Sequence, residues 1–340
     1  MDLKKKHGIV IAFFALCAIV YPVFFRDGYV LQFGINILMY AMAAVSWNII
    51  GGYAGQLALG NGVYFGIGAF VSAVLYVYSG ISPWIGMIIA GLIAGSISLL
   101  LGAITFRLKG SYYALSTVAL LFVIKMLFTS NTYILGFKTN GALGMTIPWT
   151  GESFLHMMFV NKTWYYYIIF GLLVITLVIS NYVNKSKMGY YLAAINTNSD
   201  AAASLGVNVM GMKLKAGFIS AFLTAVCGTF YAFVIQIVDP ARVLGYDLSV
   251  QILLYAIIGG KGTLWGPLMA AVVMVPLNDL LRAQLGSSMS GLSTVIYGLA
   301  LCLIVYFMPD GLWKPISQIG NNLLNGSFRK KPSKDAQKEG

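Results

Sequence analysis

Long apolar runs, each able to cross a lipid bilayer, follow one another along this chain and decide most of what it can become. About 20 apolar residues span the hydrocarbon core, with a range of roughly 17 to 25. Runs of that kind lie near 9–25, 30–50, 62–79, 84–106, 112–128, 164–183, 214–238, 266–285 and 292–308, with a shorter one near 249–260. The chain is 59% hydrophobic and 9% charged, whereas soluble domains carry about 25% charged residues. That balance excludes a soluble fold. Backbone in hydrocarbon must satisfy its own hydrogen bonds, and runs of this length do so as helices. The expected fold is all-α, a polytopic membrane protein of about ten transmembrane helices with broken or re-entrant segments.

The 22 Lys and Arg against 10 Asp and Glu sit mostly in short connections and at the termini. There they act as topology determinants at a lipid bilayer, and no nucleic-acid partner is expected. Ten spans place both termini on one side. Lys4, Lys5, Lys6, Arg107, Lys109, Lys185, Lys187, Lys213, Lys215, Lys261, Arg329, Lys330 and Lys331 fall on that face, against Arg26, Lys138, Lys162, Arg242 and Arg282 on the other. The positive-inside rule makes the first face cytoplasmic. The run from Ile9 lacks a small-x-small cleavage site, so a retained first span is expected rather than a signal peptide. Cys17, Cys227 and Cys302 stand alone in apolar runs and read as small core residues. A transmembrane domain is expected over 1–312, with connections 129–163 outside and 184–213 inside, followed by a disordered cytoplasmic tail, 313–340.

One segment breaks the apolar rule. Gly51 to Phe70, GGYAGQLALGNGVYFGIGAF, carries seven glycines together with Gln56 and Asn61. Glycine weakens a helix by roughly 1 kcal/mol relative to alanine, and irregular backbone at membrane depth survives only where protein or a water-filled cavity satisfies it. Gly55, Gln56, Gly60 and Asn61 are therefore candidates for a translocation pathway. On a regular helix the two amides would point about 140° apart, and a break near Gly60 would let both face one cavity. The other reading is tight helix packing with amides bonded to neighbours. A second cluster, GGKGTLWGP, adds Gly259 and Gly260 as candidates. If spans 2–5 and 7–10 are equivalent, the topology makes them inverted repeats.

No Walker A motif is present, since Gly260-Lys261 is followed by Gly262. Spans 2, 3 and 4 hold no charged residue, and Lys125 and the Asp279/Arg282 pair lie towards span ends, where snorkelling or local pairing accounts for them. His7 and His156 lie outside the spans and form no metal or acid–base constellation. No catalytic residue, metal, cofactor or enzymatic activity is expected, and the energy must come from a partner. The connection GYYLAAINTNSDAAASLGVNVMGMK offers a docking element. Asn198 or Ser199 can cap a short helix, Asp200 suits its N-terminal dipole, Ala201, Ala202 and Ala203 favour helix, and Gly206 can end it. Such a helix either seats in a groove of another protein or merely rounds off a loop.

These residues resemble the permeases of branched-chain amino acid ABC transporters, specifically the M-type subunit. GYAGQLALGNGVYFGIGAF is similar to that subunit's GYAGQLSLGHAAFFGIGAY, and RLKGSYYALSTVA, TNGALGMTIP, AINTNSDAAASLGVNVMGMKLKA, GGKGTLWGP and FMPDGL follow its other motifs in order. The resemblance covers about residues 45–312. It implies a heterodimer with an H-type permease subunit, two cytoplasmic ABC ATPase subunits, an extracytoplasmic solute-binding protein and an amino-acid substrate. It also implies a multi-pass location in a bacterial or archaeal cell (inner) membrane. The short helix would be the ATPase-coupling helix, with Asp200, Ala201, Ala202 and Gly206 in it. Asn61 replaces the usual His, Asn196, Thr197 and Ser199 replace charged residues of the inner loop, and Asn140 replaces a glycine. Related systems carry urea or short amides, which the motifs do not separate, and an ion-coupled secondary carrier is the reading from another class.

Overall fold

The computed structural model describes residues 21–22, 27–108, 110–134, 136–285, 290–308 and 311–314. Its helices are α1 (Gly28–Asn48), continued by a π-turn (Ile49–Tyr53), α2 (Gly62–Ser79), α3 (Pro83–Thr105), α4 (Ser111–Ser130) and α5 (Lys162–Lys185). They are followed by α6 (Lys187–Thr197), α7 (Ser199–Ser204), α8 (Val209–Ile235), α9 (Pro240–Val243), α10 (Tyr246–Gly260), α11 (Gly266–Leu285) and α12 (Ser290–Phe307). Among the described residues, eight helical segments are long and apolar enough to cross a membrane, and Gly291–Phe307 is a shorter apolar one. These coincide with nine of the ten expected spans. The tenth, 9–25, lies outside the described residues apart from Tyr21 and Pro22, as does nearly all of the expected tail. Large side chains such as Ile88, Leu100, Ile104, Phe122, Met126 and Leu299 remain exposed on the bundle surface. That apolar belt fits lipid and would be a liability in water.

Boundaries follow local chemistry. Pro83 opens α3 at a position whose N–H has no helical partner. Gly80 ends α2 in the left-handed conformation, with its N–H and that of Ile81 returning to Tyr76 and Leu75 carbonyls. α8 begins five residues before the expected 214, so Lys213 and Lys215 belong to its first turns rather than to a loop. α10 has 15 residues, about 22 Å at 1.5 Å per residue, too short to span alone. Together with α9 the apolar stretch Pro240–Gly260 reaches 21 residues.

Packing shows how the two halves relate. The first helix of one half, α1, packs on α10 and α11, and the first helix of the other, α8, packs on α2 and α3. Each half thus hands its leading helix to the second and third helices of its counterpart. α2 and α8 approach at two glycines: a Cβ on Gly68 would stand 2.6 Å from the Ala225 Cα, and one on Gly228 2.8 Å from the Phe65 carbonyl carbon. Small residues allow such close contact where lipid supplies no hydrophobic drive between helices.

The connection 129–163 carries short paired strands among its described residues. Strands β1 (Tyr133–Ile134) and β2 (Phe137–Lys138) form one hairpin, and β3 (Met145–Thr146) pairs with β4 (Ile237–Val238) after α8. Asn140, where the resembling pattern has glycine, adopts φ 59° and ψ 14°, and its side chain donates to the Gly144 carbonyl at 3.2 Å. Asn tolerates this left-handed conformation better than most residues.

Candidate functional site

The chain stops being helical after the π-turn and runs irregularly from Ala54 to Gly60 before α2 begins. Its backbone groups find partners from four directions. Trp47 Nε1 donates to the Ala58 carbonyl at 2.7 Å, the Leu59 N–H donates to Thr117 Oγ1 at 3.1 Å, and the Gln56 N–H donates to the Ile50 carbonyl at 3.1 Å. The first N–H of α2, from Gly62, donates to Ser249 Oγ at 2.7 Å. This is the accounting that irregular backbone at membrane depth requires.

Asn61 is fully buried, and its Nδ2 donates to Thr224 Oγ1 at 3.2 Å, near the middle of α8. Ser249 lies in the first turn of α10. Helices α2 and α10, the second helices of the two halves, therefore begin side by side beside the middle of α8. Each follows a break, 54–61 in one half and 236–245 in the other. The glycine cluster 259–262 lies one helix later, at the far end of α10.

A cavity of about 30 Å³ lies against this junction, lined among others by Gly60, Asn61, Ser98, Tyr113, Thr117 and Ser220. A water needs roughly 10–15 Å³ of such space, so one or two waters fit and an amino acid does not. Gly60 and Asn61 face this cavity, whereas Gln56 and Gly55 do not. Gly55 is exposed with φ +69°, and Gln56 Nε2 reaches only the Ala54 carbonyl at 3.5 Å. The two amides are not brought to one cavity, because the irregular stretch separates them.

Gly259 and Gly260 do not line the cavity either. They form the tight exit from α10: a Cβ on Gly259 would stand 2.6 Å from the Pro267 nitrogen, Gly260 has φ +114°, and Gly311 packs on both. The Leu312 N–H closes this end by donating to the Ile258 carbonyl at 2.8 Å. The two glycine clusters nevertheless meet. Asn48, fully buried, donates through Nδ2 to the Thr263 carbonyl and accepts through Oδ1 from the Gly262 N–H, both at 2.8 Å. A Cβ on Gly52 would fall on the Asn48 amide and 2.6 Å from the Gly262 nitrogen.

The connection 184–213 folds into α6 and α7, of which the sequence reading contained only the second. Asn198 caps α7, its Oδ1 accepting from the Asp200 and Ala201 N–H groups at 3.0 and 3.1 Å. Gly206 ends it with φ +85°, and the Val207 N–H returns to the Ala202 carbonyl at 3.1 Å. Asp200, Ala201 and Gly206 are exposed together with Ala203, Ser204 and Leu205, while Ala202 is 3% exposed and packs within the chain. The face free to meet another protein is therefore that of Ala201, Ala203 and Leu205, not Ala202.

Sequence reasoning missed Asn48, Thr117, Thr224 and Ser249 as members of the junction. An amide near the end of an apolar run was a readable signal at Asn48. The hydroxyls carried none, since Ser and Thr in spans commonly bond their own helix, as Thr117 Oγ1 also does to the Ala114 carbonyl.

The family described as branched-chain amino acid transport system, permease component, matches residues 29–305. The high-affinity branched-chain amino acid transport system permease protein LivM of Escherichia coli (strain K12) is 27% identical over 311 residues, covering 86% of this chain and 71% of the relative. The protein of the same name from Salmonella typhimurium is 27% identical over 294 residues, covering 81% of this chain and 68% of the relative. A probable branched-chain amino acid transport permease protein LivM of Methanocaldococcus jannaschii is 23% identical over 286 residues, covering 77% and 80%. No solved structure matches.

Proposed function

We propose that this chain, which belongs to the family of branched-chain amino acid transport system permease components, forms with an H-type second permease subunit the path by which an aliphatic amino acid crosses the bilayer. Two separate ATPases drive it and an extracytoplasmic binding protein delivers the substrate. The observation that carries this reading is the interrupted segment 54–61. Its backbone is held by the Trp47 and Thr117 side chains, the Gly62 N–H just after it donates to Ser249, and its Asn61 end borders the one-or-two-water cavity. The same residues lie inside the family match. Helices that break at membrane depth beside inverted halves are a recurring transporter design.

The energy source is external in this reading, because the sequence holds no Walker A motif and so hydrolyses no ATP itself. The exposed face of α7, from Asp200 to Gly206, is the ATPase contact, and 1–312 is the permease domain with 313–340 as a cytoplasmic tail. The excess of Lys and Arg on the face that carries α7 supports cytoplasmic termini. Gly60 and Asn61 border the path directly. Gly55, Gln56, Gly259 and Gly260 shape the turns that let it open.

Vesicle uptake tests the reading. The chain alone is expected to accumulate no leucine under an ion gradient. Accumulation should appear when the second permease, the ATPases, ATP and the binding protein are supplied. Gradient-driven leucine uptake by the single chain would assign a secondary carrier instead, and ATP-driven uptake of urea without leucine would reassign the substrate.

A further inference from the structure

We propose that Asn196 is a positioning residue that ties the coupling helix α7 to the interrupted segment, so that displacement of one is carried into the other. The proposal rests on the reading of α7 as the ATPase contact. Asn196 lies in the last turn of α6, two residues before the Asn198 cap of α7. Its Nδ2 donates to the Gly52 carbonyl at 3.2 Å. Carbonyls at the end of a helix lack intrahelical partners, and this amide supplies one. Its side chain also lies flat on Gly55, where a Cβ would come 2.8 Å from Asn196 Cγ. Glycine at 55 is thus required twice, by φ +69° and by the amide above it.

The apolar side of α6 reinforces the tie. Leu192 is buried in one cluster with Ile49, Ile50, Tyr53, Ala54 and Ala58, residues of the π-turn and of the irregular stretch that follows it. Ile50 and Ala58 also line the cavity. From α7 to the cavity wall there is consequently an unbroken series: one residue between α7 and α6, the Asn196 bond and the Leu192 packing on the π-turn, then Ile50 and Ala58. At its far side Gly52 is wedged against Asn48 and Gly262, so the π-turn also packs directly on the α10–α11 connection. Single π-turns inside helices occur frequently at functional sites.

The complete transporter in vesicles is compared with Asn196→Ala, with Asn196→Asp, which keeps the volume above Gly55 but has no hydrogen to give Gly52, and with Gly55→Ala, which displaces the amide from the other side. Assembly, basal ATP hydrolysis and thermal stability are measured beside leucine moved per ATP hydrolysed. Assembly, basal hydrolysis and stability are expected to stay near wild type in the two Asn196 variants, a result that a merely structural role would not give together with lost coupling, whereas Gly55→Ala is expected to lose stability as well, because its φ of +69° strains a side chain. Leucine moved per ATP is expected to fall about fivefold in all three variants, the factor carried by one hydrogen bond's net contribution. Thr197→Ala, whose hydroxyl only bonds the Ala193 carbonyl of its own helix, is expected to leave the ratio unchanged. Wild-type coupling in Asn196→Asp and Gly55→Ala would overturn the proposal while leaving the transport reading intact. A wild-type complex without ATP-coupled uptake would overturn that reading and this proposal with it.

Discussion

Ser249→Ala removes one oxygen atom from the junction of the two halves and leaves a buried donor without a partner. The Gly62 N–H donates to Ser249 Oγ at 2.7 Å, Ser249 is 0% exposed, and the first N–H groups of a helix have no acceptor within it. The loss is thus the desolvation of a stranded amide, about 1–3 kcal/mol, rather than the smaller net value of a solvated bond. Thr117→Val strands the Leu59 N–H in the same way, but Thr117 lines the cavity where water fits, so its loss should be smaller. Ser96→Ala, on an exposed face and bonded only to the Leu92 carbonyl of its own helix, should stay within about 0.5 kcal/mol of wild type. Thermal unfolding of the purified protein in detergent reads the three side by side. The expected order of destabilisation is Ser249→Ala, then Thr117→Val, then Ser96→Ala. Equal midpoints for Ser249→Ala and Ser96→Ala would refute the placement of α2 and α10 at a shared, dry junction.

Ala203→Arg puts a charge on the open face of α7 and should block association with the ATPases while the membrane fold stays intact. Ala202→Arg forces the charge into the chain's own packing and should cost several kcal/mol of stability, so pull-down and unfolding measurements separate the two. Asn140→Gly should be near neutral and Asn140→Val should lose about 1–2 kcal/mol, because a β-branched residue cannot hold φ 59° cheaply; unfolding midpoints decide it. A single cysteine at Leu57, which is exposed, should react with a small aqueous thiol reagent in the resting protein, and those at Asn61 and Gly62, which are buried, should not. Uniform protection from 55 to 62 would place this stretch in packing alone.

The apolar runs made the spans legible because a bilayer leaves the backbone one solution, and boundaries moved by only a few residues. The break at 51–62 was legible for the same reason: glycine and amide in hydrocarbon signal a defect that something must satisfy. What satisfies it was not legible. Thr117, Thr224 and Ser249 lie 58, 163 and 187 residues from their partners Leu59, Asn61 and Gly62, and no local pattern encodes such pairings. α6 was missed because its 11 residues, KMGYYLAAINT, carry no long apolar run, and the buried side of Ala202 was missed because alanine fits either face. For a related reason the break at 236–245 was not singled out. Glycine clusters mark close contact and tight turns, and the break at 236–245 is made instead by Pro240, Asp239 and a left-handed Gln236.

Whether an amino acid passes along this junction is tested most directly by cross-linking a photoreactive leucine analogue within the complete, ATP-driven transporter and mapping the labelled peptides. Labelling is expected on 58–64 and on the facing stretches 98–106 and 113–120, which border the cavity, and it should depend on ATP turnover. Labelling confined to other helices in every nucleotide state would contradict the account, leaving 54–61 as a packing device and placing the path elsewhere.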